Sequence, residues 1–196
     1  MTDRLMPLED IPEELRPQMA MMAERMGFTP NSLKIMARKP ALVQSFLQML
    51  MVAFGPGCSI DPALRQMFAF MASYGSGCRY CQAHNAKGAA VAGVDPEKIE
   101  SLWNFEQSDL FDGREKAALA FAFAGGQAPS AVTDEHFSDL QKFFSEVEIV
   151  ELAGIIAAFG FLNRWNDTMG TPLEDIPRTH AEEVLKAASW EVGKHG

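Results

Sequence analysis

Two cysteines spaced Cys-x-x-Cys, Cys78 and Cys81, sit where one helical run stops and another begins. Gly75 and Gly77 interrupt the apolar run that ends at Tyr74, and an alanine-rich, helix-favouring segment follows Cys81. The pair therefore falls in the first turn of a helix. Unpaired N–H groups and the macrodipole favour a thiolate there. A second thiol and a cation such as Arg79 push a cysteine pKa further down. Positions i and i+3 are about 60° apart on a helix, so the two thiols share a face. They can close into a disulfide or open to a dithiol with little backbone movement.

The pattern around the motif is helical throughout. Apolar residues recur at i, i+3 and i+4, and no segment alternates with period two long enough to read as a strand. The spacing predicts helices over Glu13–Met26, Asn31–Arg38, Ala41–Phe54, Ala63–Tyr74 and Cys78–Ala92. Further helices are expected from Asp95–Pro96 to Trp103, over Arg114–Ala124 and Asp134–Phe144, from Ser145 to about Trp165, and from about His180 to Val192. Ser59 or Asp61, and then Asp112, Thr133 and Ser145, are expected caps, and Gly27, Gly93 and Gly125–Gly126 expected stops. Thr133 has His136, not an acid, three residues on, and His136 is expected to be inert. A thioredoxin-type dithiol needs a strand before the motif and a βαβ context; here a helix precedes it.

The fold class is thus all-α, a compact helical bundle, and 196 residues suit one domain. Residues 1–40 read as an N-terminal helical arm, 41–175 as the core, and 176–196 as a C-terminal helix and tail, with His195 in a disordered end. Pro7-Leu8-Glu9-Asp10-Ile11-Pro12 recurs letter for letter as Pro172-Leu173-Glu174-Asp175-Ile176-Pro177. Both read as helix-start turns that pack on similar surfaces. Arg164 and Asp167, three apart, are expected to pair.

The net charge of −9 argues against nucleic acid, whose phosphates need a basic face, and against an anionic membrane surface. No apolar stretch reaches the roughly 18 residues of a membrane span. The first ten residues lack the apolar core of a signal peptide. Three cysteines do not make a secreted disulfide framework, so the expected location is the cytoplasm. Cys58, without a sequence partner, is expected to be a bystander thiol.

Three readings of the pair stand side by side: a redox dithiol, a zinc site, or two buried thiols without chemistry. Structural zinc wants four ligands, usually as two separated pairs, and no second pair exists; no metal is expected. A dithiol that reduces a peroxide needs an attacking thiolate, an acid for the leaving oxygen, and a resolving thiol close by. Cys78 and Cys81 meet the first and third needs. His84, on the same helix, suits acid–base work near neutral pH. Tyr80, between the cysteines, is placed either to donate a hydrogen bond to a peroxide or to line the pocket.

Gly77-Cys78-Arg79-Tyr80-Cys81-Gln82-Ala83-His84, with the apolar helix Leu64–Tyr74 before it, resembles the core of the alkyl hydroperoxidase D-like and carboxymuconolactone decarboxylase superfamily. Phe159-Gly160-Phe161-Leu162-Asn163-Arg164-Trp165-Asn166-Asp167-Thr168 resembles the late helix of its peroxidase-related members. The resemblance spans most of residues 40 to 175. It implies an alkyl hydroperoxidase D-like bundle, a homo-oligomer, and a thiol-dependent peroxidase or disulfide oxidoreductase acting on small organic hydroperoxides. It implies no resident cofactor, with electrons from an external donor protein or small thiol. It makes Cys81 the attacker and Cys78 the resolver, whereas helix-start electrostatics favour Cys78 as the more acidic thiol. The family's relay glutamate, twelve residues before the first cysteine, is Gln66 here, and its relay histidine, four after the second, is Asn85. Neither amide shuttles a proton, and the histidine falls one position earlier, at His84. The alternatives are a lactone decarboxylase-like lyase, which does not need the thiols, and a non-catalytic helical binding module.

Overall fold

Caps and glycine stops divide the chain into helices, as the computed structural model, which describes residues 4–196, makes plain. Residues 1–3, part of the expected arm and of the stretch read for a leader, lie outside the described residues. Among the described residues there are ten α-helices and no strand. They are α1 (Arg16–Met26), α2 (Asn31–Met36), α3 (Pro40–Phe54), α4 (Pro62–Ser76), α5 (Arg79–Val91), α6 (Pro96–Glu100), α7 (Gly113–Gly126), α8 (Asp134–Leu140), α9 (Glu146–Met169) and α10 (Asp175–Val184). No helix of the described residues is long and apolar enough to cross a membrane.

The caps follow the side-chain chemistry. Asp61 accepts the Leu64 N–H at 2.8 Å and starts α4. Asp112 with Glu115, and Ser145 with Glu148, form reciprocal capping boxes for α7 and α9. His136 corrects its expectation: its Nδ1 accepts from the Thr133 N–H at 3.1 Å and supplies the return half of the α8 cap. Gly27, Gly77 and Gly170 take the left-handed conformation that ends α1, α4 and α9.

The central helix is α4, which packs against α5, α7 and α9. It buries Leu64, Met67, Phe68, Phe70 and Met71, each worth about 1.5–3 kcal/mol. Gly75 lies inside α4 instead of breaking it. A side chain there would meet the Phe123 carbonyl of α7, and one at Gly126 would meet the Ala72 carbonyl. These two glycines let the α4 and α7 backbones touch. A second apolar cluster joins α1, α2 and α3 through Leu15, Met19, Leu33, Val43 and Phe46, with Phe161, Leu162 and Trp165 of α9 against it.

The C-terminal expectations need correction. The last helix runs Asp175–Val184, earlier than expected, because Pro177 sits in its first turn, where a missing N–H costs nothing. Beyond it the chain turns back. Trp190 Nε1 donates to the Arg79 carbonyl at 3.3 Å, which ties the tail to the start of α5. His195 is 2% exposed, not disordered, and its ring bonds the Thr171 carbonyl through Nδ1 at 2.8 Å. The two hexapeptides pack on different surfaces. Leu8 and Ile11 rest on the N-terminal cluster, whereas Leu173 enters the main core. Asp167 pairs with Lys194 at 2.7 Å, not with Arg164.

Candidate active site

Cys78 is the N-cap of α5 and Cys81 lies in its first turn. Both thiols are free, and both are buried, at 1% and 2% exposure. Interaction with the neighbouring Cys81 side chain is the main reason the Cys78 pKa falls below the usual thiol value despite its burial. The N–H groups of Cys81 and Tyr80 face the Cys78 sulfur and also favour its thiolate, although no capping hydrogen bond of ordinary geometry forms. Arg79, the expected cation, turns its guanidinium to Gln82 Oε1 at 3.4 Å instead. The Cys81 thiol is pushed well up, first by burial and then by interaction with the Cys78 side chain and the negative charge favoured there. Asn166 Nδ2 of α9 donates to the Cys81 sulfur at 3.5 Å and partly offsets this.

A cavity of about 420 Å³ opens over the pair. Cys81 lines it and Cys78 does not. Acidity and access thus fall on different sulfurs. The more acidic thiol lies off the cavity, and the thiol on the cavity wall is the less acidic one. The pair titrates as a unit, so a proton moved from Cys81 to Cys78 leaves a thiolate at the cavity wall. Met22, Phe46, Leu50, Phe54, Phe159 and Leu162 supply much of the remaining surface, so the cavity suits an apolar organic molecule.

His84, Gln66, Tyr80 and Asn85 line the same cavity. His84 Nε2 lies 2.7 Å from Glu174 Oε2, and the ring stacks on Tyr80 with centroids 4.4 Å apart. The Tyr80 hydroxyl donates to Glu174 Oε1 at 2.8 Å and accepts from the Ser32 N–H at 3.3 Å. Both bonds hold the hydroxyl inside the protein, where Tyr80 orients the carboxylate while its ring lines the cavity. Burial, then the Glu174 charge, holds the Tyr80 pKa well above the phenol value, so the hydroxyl keeps its proton. Burial pushes Glu174 up, but the charge and hydrogen bond of His84, with the Asn31 N–H, outweigh it and leave the carboxyl below its usual pKa.

Gln66 packs against Gly88 of α5, where a Cβ would collide with its carboxamide. Asn85 Nδ2 donates to Ser73 Oγ at 3.3 Å. The two amides hold the wall between α4 and α5. The carboxylate absent from position 66 is matched by Glu174, which reaches the histidine from the start of α10. Glu174 carried no site signal beyond its place in the repeated hexapeptide. Asn166 lies in the late-helix run without a signal of its own, and Arg65, 8% exposed on the cavity wall, carries none in the sequence.

Cys58 stands apart from this group. Its Sγ lies 3.4 Å from Glu151 Oε2, and burial pushes its pKa up. Among the described residues no group of three or more histidine, cysteine or acidic side chains gathers as metal ligands.

The sequence profile of the Carboxymuconolactone decarboxylase family matches residues 40–124. The crystal structure of the debrominase Bmp8 superposes with a TM-score of 0.86 at 34% identity, covering 94% of this chain and 99% of Bmp8. A cysteine-to-alanine variant of Bmp8 in complex with 2,3,4-tribromopyrrole is as similar, with a TM-score of 0.86 at 34% identity. An uncharacterized peroxidase-related protein from Ralstonia eutropha JMP134, an alkylhydroperoxidase AhpD core, superposes with a TM-score of 0.75 at 22% identity, over 85% of this chain and 88% of its own, and shares the fold. The uncharacterized protein YnjA of Escherichia coli strain K12 is 26% identical over 177 residues, 89% of this chain and 96% of YnjA.

Proposed function

This chain belongs to the alkyl hydroperoxidase D-like and carboxymuconolactone decarboxylase superfamily, and on that premise we propose that it is a thiol-dependent reductase of organic hydroperoxides. The observation that carries the reading is the placement of Cys81 at the cavity wall, with Cys78 beside it and His84, held from behind by Glu174, lining the same cavity. Cys81 passes its proton to Cys78, and its thiolate attacks the terminal oxygen of the hydroperoxide. The O–O bond breaks, its electron pair leaves on the alkoxide, and protonated His84 donates to form the alcohol. Cys81 is now a sulfenic acid. Cys78, after losing its proton, attacks the Cys81 sulfur; the S–S bond forms and the hydroxyl leaves as water. One hydroperoxide and two thiols become one alcohol, one water and one disulfide. An external thiol, protein or small molecule, returns the two electrons, which fits a reducing compartment such as the cytoplasm. Association into a homo-oligomer would cover the exposed Met51, Val52 and Val91.

The likeness to the debrominase favours a second reading, in which the same dithiol reduces a halogenated aromatic. A carbon–halogen bond is replaced by carbon–hydrogen, the halogen leaves as halide, and the two thiols become a disulfide. The balance is one aryl halide and two thiols to one arene, one hydrogen halide and one disulfide.

Thiol titration with intact-mass readout separates the two. One equivalent of cumene hydroperoxide is expected to remove two thiols and about two daltons and to release the alcohol, with no reaction in Cys81→Ser. Untouched thiols with the hydroperoxide, but disulfide and bromide with 2,3,4-tribromopyrrole, would put the second reading in its place. Inert thiols with both would end the dithiol reading and return the lyase and binding-module alternatives.

A further inference from the structure

The chain carries a net charge of −9, yet its cavity is lined by Arg25, Arg65 and Lys87 and by no aspartate or glutamate. Arg25 is exposed and Lys87 half-buried, and Lys87 also borders a smaller cleft with Asp175 and Glu183. Arg65 is different. It is 8% exposed, and its Nη1 donates to the Gly55 carbonyl at 3.2 Å. Its Nε is buried and has no hydrogen-bond partner. Among the described residues no carboxylate lies within ion-pair distance of its guanidinium.

A buried guanidinium without a counter-charge is unfavourable, because it gives up hydration and gains only one carbonyl in return. Such a group persists where something else supplies the negative charge. With Nη1 committed to Gly55, the edge made by Nε and Nη2 has no protein acceptor, and that edge matches the two oxygens of a carboxylate. Much of the remaining lining is apolar, and Cys81 and His84 line the same cavity.

We infer that the cavity takes an organic anion: an apolar molecule whose carboxylate pairs with Arg65 and whose reducible group lies at Cys81. This names the substrate class of the site described above and rests on the reading of that cavity as the place where substrate binds. Arg25 and Lys87 add attraction at the wall and rim, and the absence of any acidic lining residue removes repulsion.

The test is binding of decanoate against methyl decanoate, two probes that differ in charge and share their chain, to the full-length reduced protein by titration calorimetry. Decanoate is expected to bind at least about tenfold more tightly than the ester. Arg65→Gln is expected to abolish that preference while leaving ester binding in place, and Arg65→Lys to keep part of it. Equal binding of acid and ester to the unmodified protein, or no binding of the acid, overturns the inference, whether or not the Arg65 variants fold. A preference that survives in Arg65→Gln overturns it as well. No oxidant is present, so the result is independent of the thiol chemistry. A carboxylate preference with thiols inert to hydroperoxide would end the reductase reading and leave the anion site standing. Thiol oxidation without the preference would do the reverse.

Discussion

His84 Nε2 lies 2.7 Å from Glu174 Oε2, across 90 residues of chain. Both side chains are nearly enclosed, at 12% and 10% exposure. The carboxylate holds the ring through Nε2, while Tyr80 and the Asn31 N–H fix the carboxylate. His84 is thereby held in a fixed orientation at the cavity wall, and the proposed mechanism uses it as the acid. The histidine lies one residue earlier on α5 than the family pattern places it, and its acidic partner comes from a different helix.

Loss of this acid should slow the chemistry. His84→Gln is expected to lower the single-turnover rate of Cys81 oxidation by about 10²–10⁴. Unchanged rates in stopped-flow thiol measurements would remove His84 from the mechanism.

Glu174 makes a specific prediction about acid stability. Its folded pKa is depressed, so its contribution is fully present above the unfolded glutamate value of about 4.3 and is lost as pH falls through the folded value. Wild-type protein should therefore lose stability over that window below pH 4.3, and Glu174→Gln should show a flatter profile there. Urea unfolding across this range measures the difference, and parallel profiles would refute the ion pair.

The division of labour between the thiols is testable by mass. Cys78→Ser should stop at a sulfenic acid on Cys81, a gain of about 16 daltons that dimedone traps. Cys58→Ser should form the disulfide at the wild-type rate, because Cys58 faces Glu151 and not the cavity. A sulfenic acid on Cys78 instead would reverse the assignment of attacker and resolver.

The backbone contact between α4 and α7 leaves no room for a methyl group. Gly126→Ala would drive a Cβ against the Ala72 carbonyl, an overpacking that costs about 1–3 kcal/mol. At roughly 2–4 °C per kcal/mol for a chain of this size, calorimetry should record a clear drop in Tm. An unchanged Tm would mean that the two helices part easily.

Gly88→Ala should behave differently. The new Cβ meets only the end of the flexible Gln66 side chain, so the carboxamide can swing away, into the cavity. Stability should change little, while KM for a bulky hydroperoxide rises. A large loss of stability would show that Gln66 is held rigidly.

Much of this protein was legible in its sequence, because helices and caps are written in local spacing. The i, i+3, i+4 pattern, Asp112 and Ser145 as caps, and Cys78 and Cys81 at a helix start all stand in the structure as read, and of the two candidates Ser59 and Asp61 it is Asp61 that caps α4. The ends were less readable. His195 and Trp190 are held by the Thr171 and Arg79 carbonyls, partners about 24 and 111 residues away in sequence, which no local pattern encodes. Gly75 read as a helix breaker because its reason for being glycine is the α7 backbone, not its own helix.

The sequence by itself determined the class of fold, the dithiol and the helix that presents it, since these depend on residues within a few turns of one another. Only the tertiary structure decided which thiol meets the cavity, that Glu174 and not Gln66 supports the histidine, that Asn166 reaches Cys81, and that Arg65 is buried without a counter-charge. Those are outcomes of how α4, α5, α9 and α10 pack. The electrostatics of a buried group are set by whatever packing brings within a few ångströms of it, wherever in the chain that neighbour begins.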